Sequence, residues 1–126
     1  NGKLLFNARS ETADAKALFR DGMRQRRCLV PAAHYFEWEK RGKDRIKYAI
    51  RPGGASVMYM AGIYRLENDM PVFTILTREP AAAISFIHDR MPVILPKEAA
   101  DDWLNIRYDA GDVLAGAAQD VECWLA

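Results

Sequence analysis

The stretch from residue 27 to residue 77 constrains the fold most, because it repeats one pattern: a short apolar, β-branched or aromatic run followed by a turn signal. The runs are RCLVPAAHYFEWE, RIKYAIR, SVMYMAGIYRL and MPVFTILT, and the turns between them are KRGKD, PGGAS and END. Runs of this kind joined by glycine-containing or polar turns are typical of β-hairpins. The pattern predicts a meander of antiparallel strands, with the first run broken at Pro31.

The residues before this stretch predict one strand. In LLFNARSET, residues 4–12, side chains alternate between two faces, as they do along a β-strand. Asn7, Arg9 and Glu11 would then share one face. A helix is expected to follow over residues 13–25, because Ser10 or Thr12 can cap its start. The side chains predicted to face inward on that helix are Ala17, Leu18 and Phe19.

The pattern changes after Thr77. A short helix is expected within REPAAAISFIHDR, residues 78–90, with Ala81 to Ala83 and Ile84 or Ile87 on its inner face, and VIL at residues 93–95 predicts another short strand. LPKEAADDWLN predicts a helix, since Pro96 suits a first turn and Glu98 is favoured near the positive N-terminal end. The segments predicted to complete the chain are a helical YDAGDVLAGAAQD and a last strand, VECWLA.

Strands outnumber helices in this pattern, and no βαβ rhythm or repeat is visible. The predicted fold class is therefore α+β, with a curved, mostly antiparallel sheet and peripheral helices. At 126 residues with 50% hydrophobic side chains, the chain is large enough for a single domain with its own core.

The composition restricts the cellular compartment and the kinds of metal site that can be expected. It contains no apolar run near the roughly 20 residues that a membrane span needs, and its start lacks the features of a secretory signal. Cys28 and Cys123 do not make a disulfide framework, and no Cys/His cluster has the spacing of a zinc site. We expect a soluble, cytoplasmic protein without a metal or cofactor. The sequence does not predict an oligomeric state.

The charges are unevenly distributed. Residues 1–65 carry 14 Lys/Arg and 6 Asp/Glu, a net charge of +8, whereas residues 66–126 carry 4 and 11, a net charge of −7. The basic half contains two dense stretches, RDGMRQRR and EKRGKDRIK, which could follow a phosphate backbone. Alternatively, they are solvated faces neutralised by the acidic half.

Three polar residues stand where the pattern favours apolar neighbours: Asn7 in LLFNAR, Glu37 between two aromatic residues, and His88 after Phe86 and Ile87. A carboxylate flanked by aromatic rings is expected to be partly desolvated and so prepared for proton transfer. A nearby histidine would supply a second proton-transfer group near neutral pH. Together the three could form an acid/base pair with an amide to orient a substrate.

Each of these residues also has a structural interpretation. Glu37 alternates with Glu39 and could lie on the wet face of an edge strand, His88 could be a buried histidine satisfied by Asp89 or a carbonyl, and Asn7 could cap or bridge. Taken alone, a tryptophan such as Trp38 or Trp103 is more typical of a core, and Thr77 is more typical of a strand end. Cys28 and Cys123 are more plausible as small core residues than as nucleophiles, Cys28 because burial disfavours its ionisation.

The motifs are more specific in combination. In chain order they are N-A-R-S-E-T at 7–12, R-R-C-L-V-P-A at 26–32, F-E-W at 36–38, I-L-T ending at Thr77, I-H-D-R-M-P at 87–92 and the helix of Trp103. This combination resembles the SOS-response-associated peptidase (SRAP) family, whose members process abasic sites and crosslink themselves to damaged single-stranded DNA. The resemblance covers essentially the whole chain and implies a barrel-like β core with a positively charged groove.

The resemblance also implies a reaction. Family members remove their initiator methionine autocatalytically and expose an N-terminal cysteine. The amine of that cysteine attacks the ring-opened aldehyde of an abasic site to form a Schiff base, and the thiol then closes a thiazolidine. The implied activity is thus that of a DNA-repair enzyme with autoproteolytic capacity, of the hydrolase or lyase class. On DNA it would be associated with the nucleoid.

Site residues follow from the resemblance motif by motif. Asn7 would hold the reacting sugar and the N-terminal residue, Glu37 would move protons at the amine, and His88 would protonate the sugar oxygen as the ring opens or act in the reverse step. Thr77 would line the same pocket. The residues implied to contact DNA are Arg9 and Arg90, at phosphates, and Trp38, near unpaired bases.

The chain departs from the family pattern at its ends. It does not contain the family's starting M-C-G-R, and it stops before the short strand that usually completes the domain, so we expect residues 1–126 to be a single SRAP-like domain lacking both parts. His34 stands where many relatives have glycine, and its role is open. The alternatives are a non-catalytic binder of single strands or junctions that has lost the nucleophile, and a peptidase acting on other peptides.

Overall fold

The computed structural model describes residues 6–126, which form two β-sheets with helices on one side. The first sheet has the order β1-β6-β5-β2, with two short strands, β7 and β8, attached to β6 and β5. The second sheet has the order β3-β4-β9. The strands are β1 (Asn7–Arg9), β2 (Arg27–Ala32), β3 (Tyr35–Arg41), β4 (Asp44–Pro52), β5 (Met58–Glu67), β6 (Met70–Arg78), β7 (Met91–Pro92), β8 (Ile94–Leu95) and β9 (Val121–Leu125).

The α+β prediction is confirmed, with sheets that are mostly antiparallel. The predicted hairpins also form: β3 pairs with β4 and β5 with β6. Asn68 and Asp69 turn the second hairpin with φ of 50° and 65°. Left-handed values at both turn residues match the twist of the flanking strands.

The prediction of a simple meander, however, is wrong. β2 pairs with β5 instead of β3, β4 pairs with β9, and β1 joins β6 in parallel. Pro31 does not break the first run. It lies inside β2, at the edge of its sheet, where a missing N–H is tolerated. The chain changes sheets at Ala33 and His34 instead.

The predicted first helix is divided. Residues 13–15 form a 3₁₀ turn, Lys16 is extended, and α1 covers Ala17–Gln25. Neither Thr12 nor Lys16 caps a helix through its side chain. Ala17 is exposed and Leu18 is 47% exposed, so the predicted inward trio is correct only at Phe19. The buried face of α1 follows helical spacing and consists of Phe19, Gly22 and Met23.

The remaining helices are short. Residues 82–84 form a 3₁₀ turn that buries Ile84, and α2 (Lys97–Trp103) begins directly after Pro96 with Glu98 in its first turn, as predicted. α3 (Ala110–Leu114) is shorter than predicted, and Asp109 caps it by accepting a hydrogen bond from the Asp112 N–H. No helix within residues 6–126 is long and apolar enough to span a membrane.

Two apolar clusters hold these layers together. One lies between the first sheet and the helices and is centred on the fully buried Trp103, whose indole N–H donates to the carbonyls of Cys28 (3.0 Å) and Gly62 (3.1 Å). The other lies between the two sheets and includes Ile50 and Met60. The second cluster fixes the distance between the sheets, and a pocket opens beside it.

Helix α1 approaches β5 closely, which generates a stability prediction. A Cβ at Gly22 would lie 2.9 Å from the Cβ of Ile63. Gly22→Ala should therefore lower the free energy of unfolding by up to about 2 kcal/mol, because an overpacking cost of about 1–3 kcal/mol outweighs the roughly 1 kcal/mol helix preference for alanine. Urea denaturation measures this. Gly53→Ala is the control, since its nearest contact would be an ordinary 3.7 Å. A stabilised Gly22→Ala protein would contradict the packing described here.

Candidate active site

A pocket of about 220 Å³ opens between the two sheets. It is smaller than pockets for drug-sized ligands, which occupy about 300–1,000 Å³, and suits one small polar group. Five strands and the loop before β7 contribute its walls. The lining residues are Asn7, Tyr35, Glu37, Met60, Ile75, Thr77, His88, Arg90, Met91 and Pro92.

Strand pairing brings distant segments of the sequence to this pocket. Asn7 lies opposite Ile75 in the parallel pairing of β1 with β6, and Thr77 near the end of β6 lies opposite Pro92 in β7. Because β7 is paired there, the preceding residues His88 and Arg90 are held beside Thr77. All four predicted catalytic residues, together with Arg90, thus line one pocket.

Glu37 does not lie on the wet face of β3. The burial pattern of this strand alternates in the opposite sense: Tyr35, Glu37 and Glu39 are partly buried, and Phe36 and Trp38 are exposed. Glu37 accepts a hydrogen bond from the Trp38 N–H at 3.2 Å through Oε1. Its carboxylate therefore faces the pocket while the adjacent rings face away from it.

Arg90 is held tightly at the edge of the pocket. Its guanidinium donates to both carboxylate oxygens of Glu11, at 2.8 and 2.7 Å, and to the Thr77 hydroxyl at 3.3 and 3.2 Å. Two parallel bonds to one carboxylate give strong geometric specificity. The hydrogen bond from Arg90 lowers the pKa of Glu11 from 4.5 to about 2. Glu11 thus positions a residue that was predicted to contact phosphate.

His88 is half-exposed, so it is not a buried core histidine, although its contacts include the predicted ones. Its Nδ1 lies 3.1 Å from the Arg90 N–H, 3.3 Å from the Arg90 carbonyl oxygen and 3.3 Å from an Asp89 carboxylate oxygen. A neutral ring can accept from the N–H at Nδ1, and a protonated ring can donate to either oxygen. The ring is therefore held in both protonation states, which leaves Nε2 for a substrate.

Tyr35 is a pocket residue that the sequence interpretation missed. Its hydroxyl is buried and has no hydrogen-bonding partner within residues 6–126. Burial, followed by the charge of Glu37, raises the pKa of this phenol well above its usual range. Tyr35 is thus a neutral donor beside the carboxylate. Its position two residues before Glu37 on a strand was a signal that the two share a face.

The other singled-out residues lie outside the pocket lining. Arg9 is exposed on β1, and Trp38 is 43% exposed, so it is not a core residue, whereas Trp103 is one. Burial raises the pKa of the Cys28 thiol, which fits a packing role. Across the described part of the chain, no group of His, Cys, Asp and Glu side chains could hold a metal ion.

Comparisons with known proteins identify the family of the chain. The sequence model of the family described as "SOS response associated peptidase (SRAP)" matches residues 1–123. The chain is 35% identical over 124 residues to the abasic site processing protein YoqW of Bacillus subtilis (strain 168), covering 94% of this chain and 55% of that protein. It is 31% identical over 105 residues to the abasic site processing protein YMR114C of Saccharomyces cerevisiae, covering 80% and 28%.

The fold is also similar to that of a solved protein. A crystal structure of a protein from Bacteroides thetaiotaomicron superposes with a TM-score of 0.85 at 30% identity, covering 94% of this chain and 57% of that one. The chain spans about half the length of the curated Bacillus subtilis relatives that it matches.

The Glu11–Arg90 pair predicts a specific pH dependence of stability. Because the pKa of Glu11 falls from 4.5 to about 2 on folding, its stabilising effect is present above pH 4.5 and is lost as the pH falls towards 2. Glu11 is half-exposed, so this effect should not exceed about 1 kcal/mol. Urea unfolding should therefore show Glu11→Gln to be less stable than the parent protein at pH 6 but equal to it near pH 2.

The control for this experiment is Asp102→Asn, which removes a carboxylate that makes no ion pair within residues 6–126. At pH 6 it should be about as stable as the parent protein, because no ion pair is lost. A Glu11→Gln difference that stays the same between pH 6 and pH 2 would contradict the assigned ion pair.

The Tyr35 hydroxyl generates a second prediction. Tyr35→Phe should leave the free energy of unfolding unchanged or raise it by up to about 1 kcal/mol, because no protein hydrogen bond is lost and an unpaired buried group is removed. Tyr48→Phe is the comparison: it removes a 3.4 Å bond to Glu39 and should cost about 0.5 kcal/mol. A loss above 1 kcal/mol for Tyr35→Phe in urea denaturation would show that the hydroxyl has a partner.

Proposed function

Because the chain belongs to the SOS response associated peptidase (SRAP) family, we propose that it is part of a DNA-repair protein that crosslinks itself to abasic sites in single-stranded DNA. The observation that carries this proposal is the convergence of Asn7, Glu37, Thr77 and His88 on one pocket. These residues come from three strands and one loop. Together they place an amide, a carboxylate, a hydroxyl and an imidazole around a single small space.

The size of the pocket supports a single sugar as its occupant. A volume of about 220 Å³ has room for one deoxyribose ring without its base. Its walls combine polar residues with the apolar Met60, Ile75 and Met91. A site that is partly apolar strengthens proton transfers and electrostatic contacts within it.

The reaction proposed for this pocket begins with opening of the abasic sugar to its aldehyde. The amine of an N-terminal cysteine adds to the aldehyde carbon, and loss of one water molecule gives a Schiff base. The cysteine thiol then adds to the imine carbon, its proton passes to the nitrogen, and a thiazolidine ring closes. Each step moves a proton, so the site needs both an acceptor and a donor.

His88 is suited to the donor role. With its Nδ1 proton held by the Arg90 carbonyl or the Asp89 carboxylate, the ring can give up and regain its other proton at Nε2 without turning. We assign it to protonate the ring oxygen as the sugar opens, and to act in the opposite direction when the crosslink reverses.

Glu37 is suited to the acceptor role. Its carboxylate is partly buried and faces the pocket, and the neighbouring Tyr35 phenol stays protonated. We assign Glu37 to take protons from the attacking amine. Asn7 would orient the sugar and the N-terminal residue through its amide, and Thr77 would complete the wall. The same groups would serve the autocatalytic removal of the initiator methionine.

Contacts with the flanking DNA are assigned to Arg9, Arg90 and Trp38. Arg9 and Trp38 are exposed on either side of the pocket, on β1 and β3. Arg90 has to share its guanidinium between Glu11 and a phosphate, or exchange one for the other. Its contribution to binding should therefore be smaller than that of an arginine without such a carboxylate partner.

The test is formation of a DNA adduct that survives a denaturing gel, with the complete protein and an abasic single-stranded oligonucleotide. Glu37→Gln and His88→Gln should each slow adduct formation about 10²- to 10⁴-fold, the usual contribution of general acid–base catalysis. The matched control is Glu39→Gln, on the same strand and face but held by Arg41 and Tyr48 outside the pocket. It should react at the parent rate.

Two results would overturn the proposal. The first is a complete protein that forms no adduct but binds unmodified single strands with steep salt dependence, as a non-catalytic binder would. The second is equal reaction rates for Glu37→Gln and Glu39→Gln. Mass spectrometry of the N-terminus decides the peptidase question, because processing confined to the protein's own first methionine argues against a general peptidase.

A further inference from the structure

The Tyr35 hydroxyl is the one buried side-chain nitrogen or oxygen atom between residues 6 and 126 that has no hydrogen-bonding partner. Folded proteins pair nearly all such atoms, because an unpaired atom loses its contacts with water and gains nothing in return. A phenylalanine ring would fill the same space without this cost. A group that enters the pocket from outside is therefore the natural partner of this hydroxyl.

Tyr35 lies at the inner end of the pocket. It is opposite Ile50, which is 1% exposed, whereas Glu37 is opposite the half-buried Tyr48. Tyr35 also packs against the apolar cluster between the two sheets, and it lines the pocket together with Glu37. The phenol is thus deeper in the protein than the carboxylate.

The phenol and the carboxylate complement each other. Both side chains leave the same face of β3, from positions about 7 Å apart along the strand. Burial, followed by the charge of Glu37, raises the pKa of the Tyr35 phenol, so this group keeps its proton at neutral pH. One small molecule in the pocket can therefore meet a donor at Tyr35 and an acceptor at Glu37.

The surroundings of the hydroxyl can adjust to a bound group. Met60 and Met91 line the same pocket and are 6% and 1% exposed. Methionine side chains are unbranched and adapt readily to the shape of a neighbour, and a hydroxyl can rotate to direct its proton at an acceptor. A hydrogen bond made here is also shielded from water, which strengthens it.

The proposed reaction contains one oxygen atom to which no side chain has been assigned. Opening of the abasic sugar breaks the bond between C1 and the ring oxygen, which leaves a hydroxyl on C4 and a carbonyl oxygen on C1. His88 is assigned to the former ring oxygen and Asn7 to the orientation of the sugar. Arg90 is already bound to Glu11 and Thr77. The carbonyl oxygen becomes negatively charged as the amine adds, and stabilising such charge is usually the largest catalytic contribution.

We propose that Tyr35 is a further catalytic residue, which donates a hydrogen bond to the aldehyde oxygen of the opened abasic sugar. This inference rests on the proposed function for the identity of the substrate. The lone pair of the amine forms the C–N bond, and the π pair of the carbonyl moves to the oxygen that Tyr35 holds. The proton that the nitrogen loses passes through Glu37 to this oxygen, so Tyr35 ends the step with its own proton.

The first measurement is the rate of adduct formation by the complete protein with an abasic single-stranded oligonucleotide. Tyr35→Phe removes one oxygen atom and should slow the reaction about 10²- to 10³-fold, the usual effect of losing one donor to a developing oxyanion. The matched control is Tyr48→Phe. It also removes one tyrosine hydroxyl, but that hydroxyl lies 3.4 Å from Glu39 and outside the pocket lining, so the rate should stay at that of the parent protein.

The second measurement is non-covalent binding, which does not depend on crosslinking. It compares two unreactive strands: one with an abasic site reduced by borohydride, which keeps an oxygen on C1, and one with a tetrahydrofuran site, which has no oxygen there. The ratio of the two affinities should be about fivefold less favourable to the reduced site in Tyr35→Phe than in the parent protein, the usual effect of one hydrogen bond. Tyr48→Phe should have the ratio of the parent protein.

Two results would overturn the assignment of Tyr35. One is a Tyr35→Phe protein with the rate and the affinity ratio of the parent protein. The other is a Tyr35→Phe protein that binds both strands more weakly by the same factor, because the hydroxyl would then maintain the shape of the pocket without contacting the oxygen on C1.

This inference and the proposed function fail in distinguishable ways. If the parent protein forms no adduct but the affinity ratio falls in Tyr35→Phe, the proposed crosslinking fails and the hydrogen bond from Tyr35 stands. If the parent protein and Tyr35→Phe form adducts at the same rate and have the same affinity ratio, the role of Tyr35 fails and the crosslinking stands.

Discussion

The pairing of β6 with three different strands determines where the site can form. It binds β5 along one edge as a hairpin, β1 in parallel on the other, and β7 at its end. Asn7, Thr77 and the loop of His88 are all held by this one strand. Since every one of these pairings is made by backbone hydrogen bonds, the polar side chains are positioned by the sheet itself. A site built on strands holds its geometry better than one built on loops.

The second determinant is the alternation of β3. Because successive side chains of a β-strand point to opposite faces, Glu37 faces the pocket and its aromatic neighbours face the other way. A shift of one residue in the β3–β4 register would exchange these roles, exposing the carboxylate and filling the pocket with rings. One register thus fixes both the acid/base group and the aromatic surface beside it. The carboxylate of the pocket and the exposed rings of Phe36 and Trp38 are therefore linked by the same strand.

Local patterns predicted the hairpins and the last strand and singled out Asn7, Glu37 and His88, whereas Thr77 and Arg90 followed only from the family resemblance. They could not predict which strands pair over long distances, because β2 with β5 and β4 with β9 are chosen by packing between layers. Alternation also showed that Glu37 lies on the face opposite to Phe36 and Trp38 but not which of the two faces is solvent-exposed, and the fold buries the face of Glu37. The bond between Arg90 and Glu11 joins residues 79 positions apart, so no local pattern could reveal it.

The two basic stretches of the sequence have different roles in the fold, which the net charge of that half could not show. In the first, Arg27 donates to the carbonyls of Met23, Asn105 and Tyr108 and lies over the Trp103 ring. Burial also lowers the pKa of Arg27, so it acts as a packing residue. The second stretch forms the β3–β4 hairpin and places its cations beside exposed rings. The charge of Arg27 is therefore used inside the protein, whereas Lys47 of the second stretch lies over the exposed ring of Phe36.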